Sequence, residues 1–362
     1  MLIKKICVYA ICKNEEQFVD RWYEAIKEAD GIYVLDTGST DNTVEKLKSH
    51  NIHVETKEIK PWRFDIARNL SLDLVPTDTD ICICLDLDEI MEPGWKEKIE
   101  KLWQPNTTRL RYIYNWYIDE NGNPKIVYYA EKIHARNGFH WVNPVHEILE
   151  YEKTENQIFT DDLVINHYPD RTKSRSSYLP LLELAVKENP NNDRNVHYLG
   201  REYMYYEKYN EAIDTLIKHL QLPNATWKDE RCASMRFIAR CYQNLNRFDE
   251  AQMWLNKAID ECPYLRDPLV EMALLYYQKE DWNQVIIYGE KALTITKNEK
   301  TYINELFSWD ETINDMLSIA YYQQNNLKKA IQNAEMALLI NPQNERIKSN
   351  LKLFQSIEKN CP

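Results

Sequence analysis

Only 7 glycines occur in 362 residues. None stands in a G-x-G-x-x-G or G-x-x-x-x-G-K-S/T pattern, so the usual dinucleotide and P-loop fingerprints are missing. Long apolar runs are missing too. No stretch of 18 hydrophobic residues appears, and the opening MLIKKICVYAIC holds no apolar segment of signal-peptide length. Basic charge is scarce: 45 Lys and Arg stand against 57 Asp and Glu, a net charge of -12. That balance excludes the basic surfaces that nucleic acids and anionic membranes require. The eight cysteines are scattered, and Cys82 and Cys84 alternate within an apolar run where no CxxC ligand pair forms. Buried free thiols in a reducing compartment are expected rather than a disulfide framework. These absences predict a soluble, cytoplasmic protein with no nucleic-acid or membrane partner, long enough for two or three domains.

What is present divides in two. Up to about residue 170, short β-rich runs alternate with helical patterns. KICVYAIC (5–12), GIYVLDT (31–37), IHVETKEI (52–59) and ICICLDLD (81–88) read as strands, and 14–29 and 64–74 as helices. Such alternation predicts a mostly parallel sheet covered on both faces. From 107 to 168 the pattern turns to hairpins, with an ENGNP turn between two alternating runs. After about residue 175 the period is helical and repeats. Small residues recur at Gly200, Ala239, Ala273 and Ser318, spaced 39, 34 and 45, and again near Ala212, Ala251, Val285 and Ala330. These spacings scatter around the 34-residue tetratricopeptide unit, in which small residues let paired helices approach closely. Four imperfect repeats suffice to bury a continuous core.

One stretch carries chemistry. ICICLDLDEIMEP (81–93) runs an apparently buried strand straight into Asp86, Asp88 and Glu89. Ionised carboxylates beside a core are costly unless a cation or a hydroxyl-rich ligand needs them. Asp86 and Asp88, two apart, share a side of the chain where it leaves the sheet. Ligands of open α/β sheets bind beyond the carboxyl ends of strands, where these acids fall.

The combination ICKNEE, LDTGSTDNT, FDIARNLS and LDLDE, in that order over roughly residues 3–170, resembles inverting family-2 glycosyltransferases with a GT-A fold. Followed by tetratricopeptide repeats, it is similar to the S-glycosyltransferases of glycocin (sublancin-type) precursor peptides. The resemblance implies an α/β GT-A (Rossmann-like) domain over 1–175 and an all-α tetratricopeptide-repeat domain over 176–362. It implies a divalent metal, Mg²⁺ or Mn²⁺, held by Asp88 with Asp86 at the metal or the ribose, and a late metal ligand at His167; a structural His is the rival reading. Asp36 would accept the uracil N3–H of a UDP-sugar, or else cap a helix. Ala10, Lys13 and Glu15 would begin the uridine pocket, though Glu15 is also a natural first-turn acid. Asp65 and Arg68 would lie beneath the nucleotide, or form a plain i,i+3 ion pair. In KIHARNGFHWVNPVHEILEYE, Glu147 is the candidate general base beside His146, and Trp141 would line the sugar pocket or simply fill the core. Lys173 and Arg175 would close over the diphosphate or begin the linker.

The function so implied is a metal-dependent transferase moving a hexose, from UDP-glucose or UDP-N-acetylglucosamine, to Cys or Ser/Thr of a peptide or protein. A homodimer is a further implication. Two alternatives stay open: a saccharide acceptor in cell-surface glycan assembly, and a catalytically inactive repeat scaffold.

Overall fold

The computed structural model describes residues 4–170, 172–173 and 176–360. The chain forms two compact units: Met1–Glu188 with Lys300–Tyr302, and Asn189–Glu299 with Ile303–Pro362.

In the first unit, strands β1 (Ile6–Cys12), β2 (Gly31–Asp36), β3 (His53–Thr56) and β4 (Ile81–Cys84) are joined through helices α1 (Val19–Ile26), α2 (Thr43–Ser49) and α3 (Phe64–Asp73). Then come β5 (Glu89–Met91), α4 (Trp95–Leu102), the long hairpin β6 (Arg109–Ile118) and β7 (Pro124–Ala135), β8 (Phe139–Val142), β9 (Ile148–Tyr151), β10 (Gln157–His167) and α5 (Tyr178–Glu188). Eight strands form one sheet in the order β3-β2-β1-β4-β7-β6-β10-β5, while β8 and β9 pair separately. β1 to β4 run parallel. β7 is antiparallel to both β4 and β6, so β6 runs with β4, and β10 is parallel to β6. The carboxyl ends of β2, β1, β4, β6 and β10 therefore share one edge.

The sequence alternation foresees this sheet, with two differences. The first helix begins at Val19 rather than near residue 14. Asn14 takes a left-handed φ of 53°. The Glu15 amide donates to Thr43 Oγ1 (2.8 Å), and the Asn14 carboxamide accepts from the Thr40 amide (2.7 Å). Backbone groups that would open a helix instead tie this loop to the one after β2. The strand expected over 81–88 ends at Cys84, with one further bond from the Leu85 amide to the Tyr9 carbonyl. Residues 85–88 thus leave the ladder and carry the acids over the edge. An apolar cluster packs against the sheet, with Ile6, Val8, Ile81, Ile83, Trp22 and Trp95 essentially inaccessible.

The second unit is all helical: α6 (Asp193–Tyr205), α7 (Tyr209–Gln221), α8 (Lys228–Asn244), α9 (Phe248–Glu261), α10 (Asp267–Gln278), α11 (Trp282–Leu293), α12 (Thr312–Gln323), α13 (Leu327–Ile340) and α14 (Glu345–Asn360). Each of the four helix pairs from α6 to α13 turns through one left-handed residue: Glu207, Asn246, Glu280 and Asn325. Their spacings repeat those of the small residues, so each helix pair is one repeat. Close approach explains the first small residue. A Cβ on Gly200 would lie 2.5 Å from Leu216 Cγ of the partner helix. Ala239, Ala273 and Ser318 are wholly buried, as are Ala212, Ala251, Val285 and Ala330. The seven described cysteines are free and buried. Among the described residues no helix is long and apolar enough to cross a membrane.

Candidate functional site

The shared edge gathers most of the predicted residues. At the end of β2, Asp36 is fully buried, and its carboxylate accepts the amides of Gly38 (3.2 Å) and Ser39 (3.1 Å). It thereby shapes the DTGS loop, in which Gly38 has a φ of +110°. Asp41, not Asp36, serves the start of α2, accepting from the Thr43 amide (3.1 Å) and hydroxyl (2.6 Å). Beyond β1, Glu15 pairs with Lys173. Burial pushes the Glu15 carboxyl up to about 7, Lys173 opposes, and the nearby charges of Asp88 and Asp86 add to the rise. Lys13 is exposed on the same loop. Arg175 lies outside the described residues. Ala10 is not at the edge: its methyl sits in the core with Val8 and Val34.

A buried ion network underlies the edge. Arg68, on α3, forks onto Asp86, with Nη2 2.9 Å from Oδ2, and its Nε donates to Glu147 Oε1 at 3.0 Å. Lys132, from β7, bridges Asp86 Oδ2 (2.9 Å) and Glu89 Oε1 (3.0 Å). Glu89 also accepts from Tyr114 Oη (2.7 Å) and the Asp86 amide (2.9 Å). Burial works against the charge on Asp86, but Arg68 and Lys132 hold its carboxyl well below the usual range. Asp86, expected at the metal or the ribose, is therefore engaged at both oxygens by cations. Asp65 and Arg68 do not form the i,i+3 pair: Asp65 accepts from Arg63 Nε (3.0 Å) and Nη2 (2.8 Å) instead.

Asp88 stands apart from that network. Its Oδ2 lies 3.4 Å from His167 Nε2, and His167 Nδ1 lies 3.0 Å from the Trp116 carbonyl. An imidazole whose Nδ1–H is donated to a carbonyl presents Nε2 outward, the arrangement found behind metal-bound histidines. Burial lowers the affinity of His167 for a second proton, but Asp88 outweighs it and the net shift is upward. Among the described residues no three His, Cys, Asp or Glu side chains gather into a cluster that could hold a metal alone. Asp88 and His167 fit a cation that takes only two protein ligands and completes its shell with ligand oxygens and water.

Glu147 and His146 lie in the loop between β8 and β9, which is tied to α3 by the Phe64 amide donating to the Pro144 carbonyl (3.0 Å). His146 has a φ of 51°, and its ring meets Tyr178 edge-on at 5.7 Å. Trp141 takes the second of its two readings and lies in the core. Only 4% exposed, it donates to Tyr9 Oη (3.0 Å) and lies under the Arg68 guanidinium, 5.5 Å from its ring centre. Its core position supports Arg68. Of the network residues, Glu89 is marked in the sequence with Asp86 and Asp88, in the acidic run after β4, but Lys132 and Tyr114 are not. A lysine and a tyrosine inside β-rich runs are the only trace they leave there.

Residues 7–154 match the Glycosyl transferase family 2 family, and residues 266–360 match the Prolyl 4-hydroxylase peptide-substrate-binding domain. No curated protein matches the chain. Among solved structures, the anaphase-promoting-complex hetero-tetramer Cut9-Hcn1 aligns at 15% identity over 51% of this chain and 33% of that one, with a TM-score of 0.41. MamA aligns at 18% identity over 47% and 85%, with a TM-score of 0.37. PilF of Pseudomonas aeruginosa aligns at 13% identity over 49% and 72%, with a TM-score of 0.38. The chain thus spans about a third of the length of the first of these. Residues 7–154, which hold Asp36, Arg68, Asp86, Asp88 and Glu147, form a glycosyl transferase family 2 domain, and tetratricopeptide-like helical repeats follow it.

Proposed function

We propose that the protein is a metal-dependent, inverting hexosyltransferase that uses a UDP-sugar and modifies a Cys or Ser/Thr side chain of a peptide or protein. The observation that carries this reading is the Asp88–His167 pair, 3.4 Å apart at the carboxyl edge of the sheet. It stands beside acids that a family 2 domain contributes from successive strand ends. A Mg²⁺ or Mn²⁺ ion held by Asp88 and His167 would supply charge neutralisation for the departing diphosphate.

The chain's own groups have these roles. Asp36, buried at the end of β2, orders through both carboxylate oxygens the DTGS loop against which the uracil would rest. Lys173, beside Glu15, is placed to meet a phosphate. Arg68 grips Oε1 of Glu147, which leaves Oε2 to take the acceptor's proton. In the transfer step the acceptor S–H or O–H gives its proton to Glu147. The sulfur or oxygen then bonds to the sugar C1, as the C1–O bond to UDP breaks with its electron pair leaving on UDP. A single base and in-line attack invert C1. A peptide acceptor is supported by the match of residues 266–360 to a peptide-substrate-binding domain. A glycocin-type precursor is the first candidate.

The test is the intact mass of a Cys- and Ser-bearing precursor peptide incubated with UDP-glucose or UDP-N-acetylglucosamine and Mg²⁺ or Mn²⁺. One added hexosyl group is expected, lost on chelation and reduced by orders of magnitude in Asp88→Asn. Undiminished transfer by Asp88→Asn under chelation refutes the metal reading. Transfer to oligosaccharides but never to peptides refutes the acceptor reading.

A further inference from the structure

Beside the Asp88–His167 pair lies a pocket of about 350 Å³ lined by Trp116, Tyr117, Ile118, His167, Tyr168 and Pro169. The carboxyl ends of two adjacent parallel strands, β6 and β10, build it. Its position in the edge order is informative. Asp36 ends β2, Asp86 and Asp88 follow β4, and the pocket lies further along the same edge at β6 and β10, with His167 in its wall. A ligand with its nucleoside at Asp36 and its diphosphate at Asp88 would carry its next group into this pocket.

The walls say what that group is. Trp116 is 45% exposed and Tyr168 41%, two large rings open to solvent on a unit whose other tryptophans are mostly buried. The backbone behind them is held: the Trp116 carbonyl fixes His167, and the Tyr168 amide donates to the Asp88 carbonyl (2.8 Å). The Arg21 guanidinium sits 4.9 Å from the Tyr168 ring centre. Rings with an apolar face and a polar rim suit a ligand that is C–H on its faces and hydroxyl around its edge. The volume lies at the low end of small-molecule pockets, about 300–1,000 Å³, enough for a single ring.

We propose that Trp116 and Tyr168 flank the subsite for the hexopyranosyl ring of the donor, and that Trp116 sets donor preference. This rests on the UDP-sugar reading above. Trp116 acts twice, its indole against the sugar and its carbonyl holding His167. Only the indole contribution is removed by substitution.

The test is calorimetric titration of the full chain with UDP, UDP-glucose and UDP-N-acetylglucosamine in Mg²⁺, without acceptor, for wild type, Trp116→Ala, Trp116→Phe and Tyr168→Ala. For whichever sugar nucleotide binds wild type more tightly, Trp116→Ala should lose about tenfold in affinity, the scale of one aromatic contact. UDP should stay within about twofold of wild type, and Trp116→Phe should retain most of the sugar affinity. Equal weakening of UDP and UDP-sugar would overturn the proposal, because the ring would then only be supporting His167. Unchanged UDP-sugar affinity with a raised KM for peptide would also overturn it, marking an apolar acceptor pocket. A wild-type protein that binds no UDP fails the donor reading itself, and the subsite falls with it.

Discussion

Arg68 is the residue on which the ordering of the edge depends, and its replacement by Met, similar in length but uncharged, tests this. The Arg68 side chain is 6% exposed, Glu147 13% and Asp86 25%. Asp86 also holds Lys132 at 2.9 Å, a contact the substitution does not remove, and is the most solvated of the three, so its share of the loss is small. Glu147 loses its Arg68 Nε contact while remaining mostly buried. Removing one partner of a buried ion pair costs about 3–5 kcal/mol, and the retained Lys132 places this case near 3 kcal/mol. Arg68→Lys keeps the charge but not the fork, so it can serve Asp86 or Glu147 but not both. That should cost about 1.5–3 kcal/mol, the worth of one charged hydrogen bond. Combining Arg68→Met with Glu147→Gln removes the stranded charge. The double variant should therefore be more stable than the sum of the single losses by about 1–2 kcal/mol. Hydrogen exchange of the α3 and β4 amides reads these changes within the first unit. A loss below about 0.5 kcal/mol in Arg68→Met would refute the network's structural role.

Glu147→Gln should leave UDP affinity near wild type and reduce transfer to a hydroxyl acceptor about 10²–10⁴-fold. On a thiol acceptor, already partly ionised near neutrality, the loss should be smaller and should recover as pH rises; wild-type rates at every pH on a hydroxyl acceptor would dismiss this base. Glu15, raised to about 7 by burial, makes metal-free stability depend on pH. Below the unfolded carboxyl value both states are protonated; between that value and 7 only the unfolded chain ionises, so wild type loses stability relative to Glu15→Gln. The difference should grow to about 3 kcal/mol and level off above 7; a flat difference across pH 4–8 in denaturant titrations would contradict the burial of Glu15.

The order of strands and helices, the repeat spacing and the acids at the strand exits were open to reading from the chain alone. Each depends on local periodicity: two for strands, 3.6 for helices, and a recurring small residue wherever two helices touch. The left-handed turns at Glu207, Asn246, Glu280 and Asn325 keep the register that Gly200, Ala239, Ala273 and Ser318 announce. Partnership was not open to such reading. Arg68 lies three residues from Asp65 yet pairs with Asp86 and Glu147, 18 and 79 residues away. Lys132 reaches Asp86 only because β7 is inserted beside β4. Trp141, for which the sequence left sugar pocket and core equally open, fills the core, while Trp116 and Tyr168, unmarked in the sequence, stand open at the edge. An aromatic ring or a charge carries no local sign of whether it faces core, counter-ion or ligand. Long-range strand pairing decides that, because it sets which side chains share a low-dielectric space and must neutralise one another there.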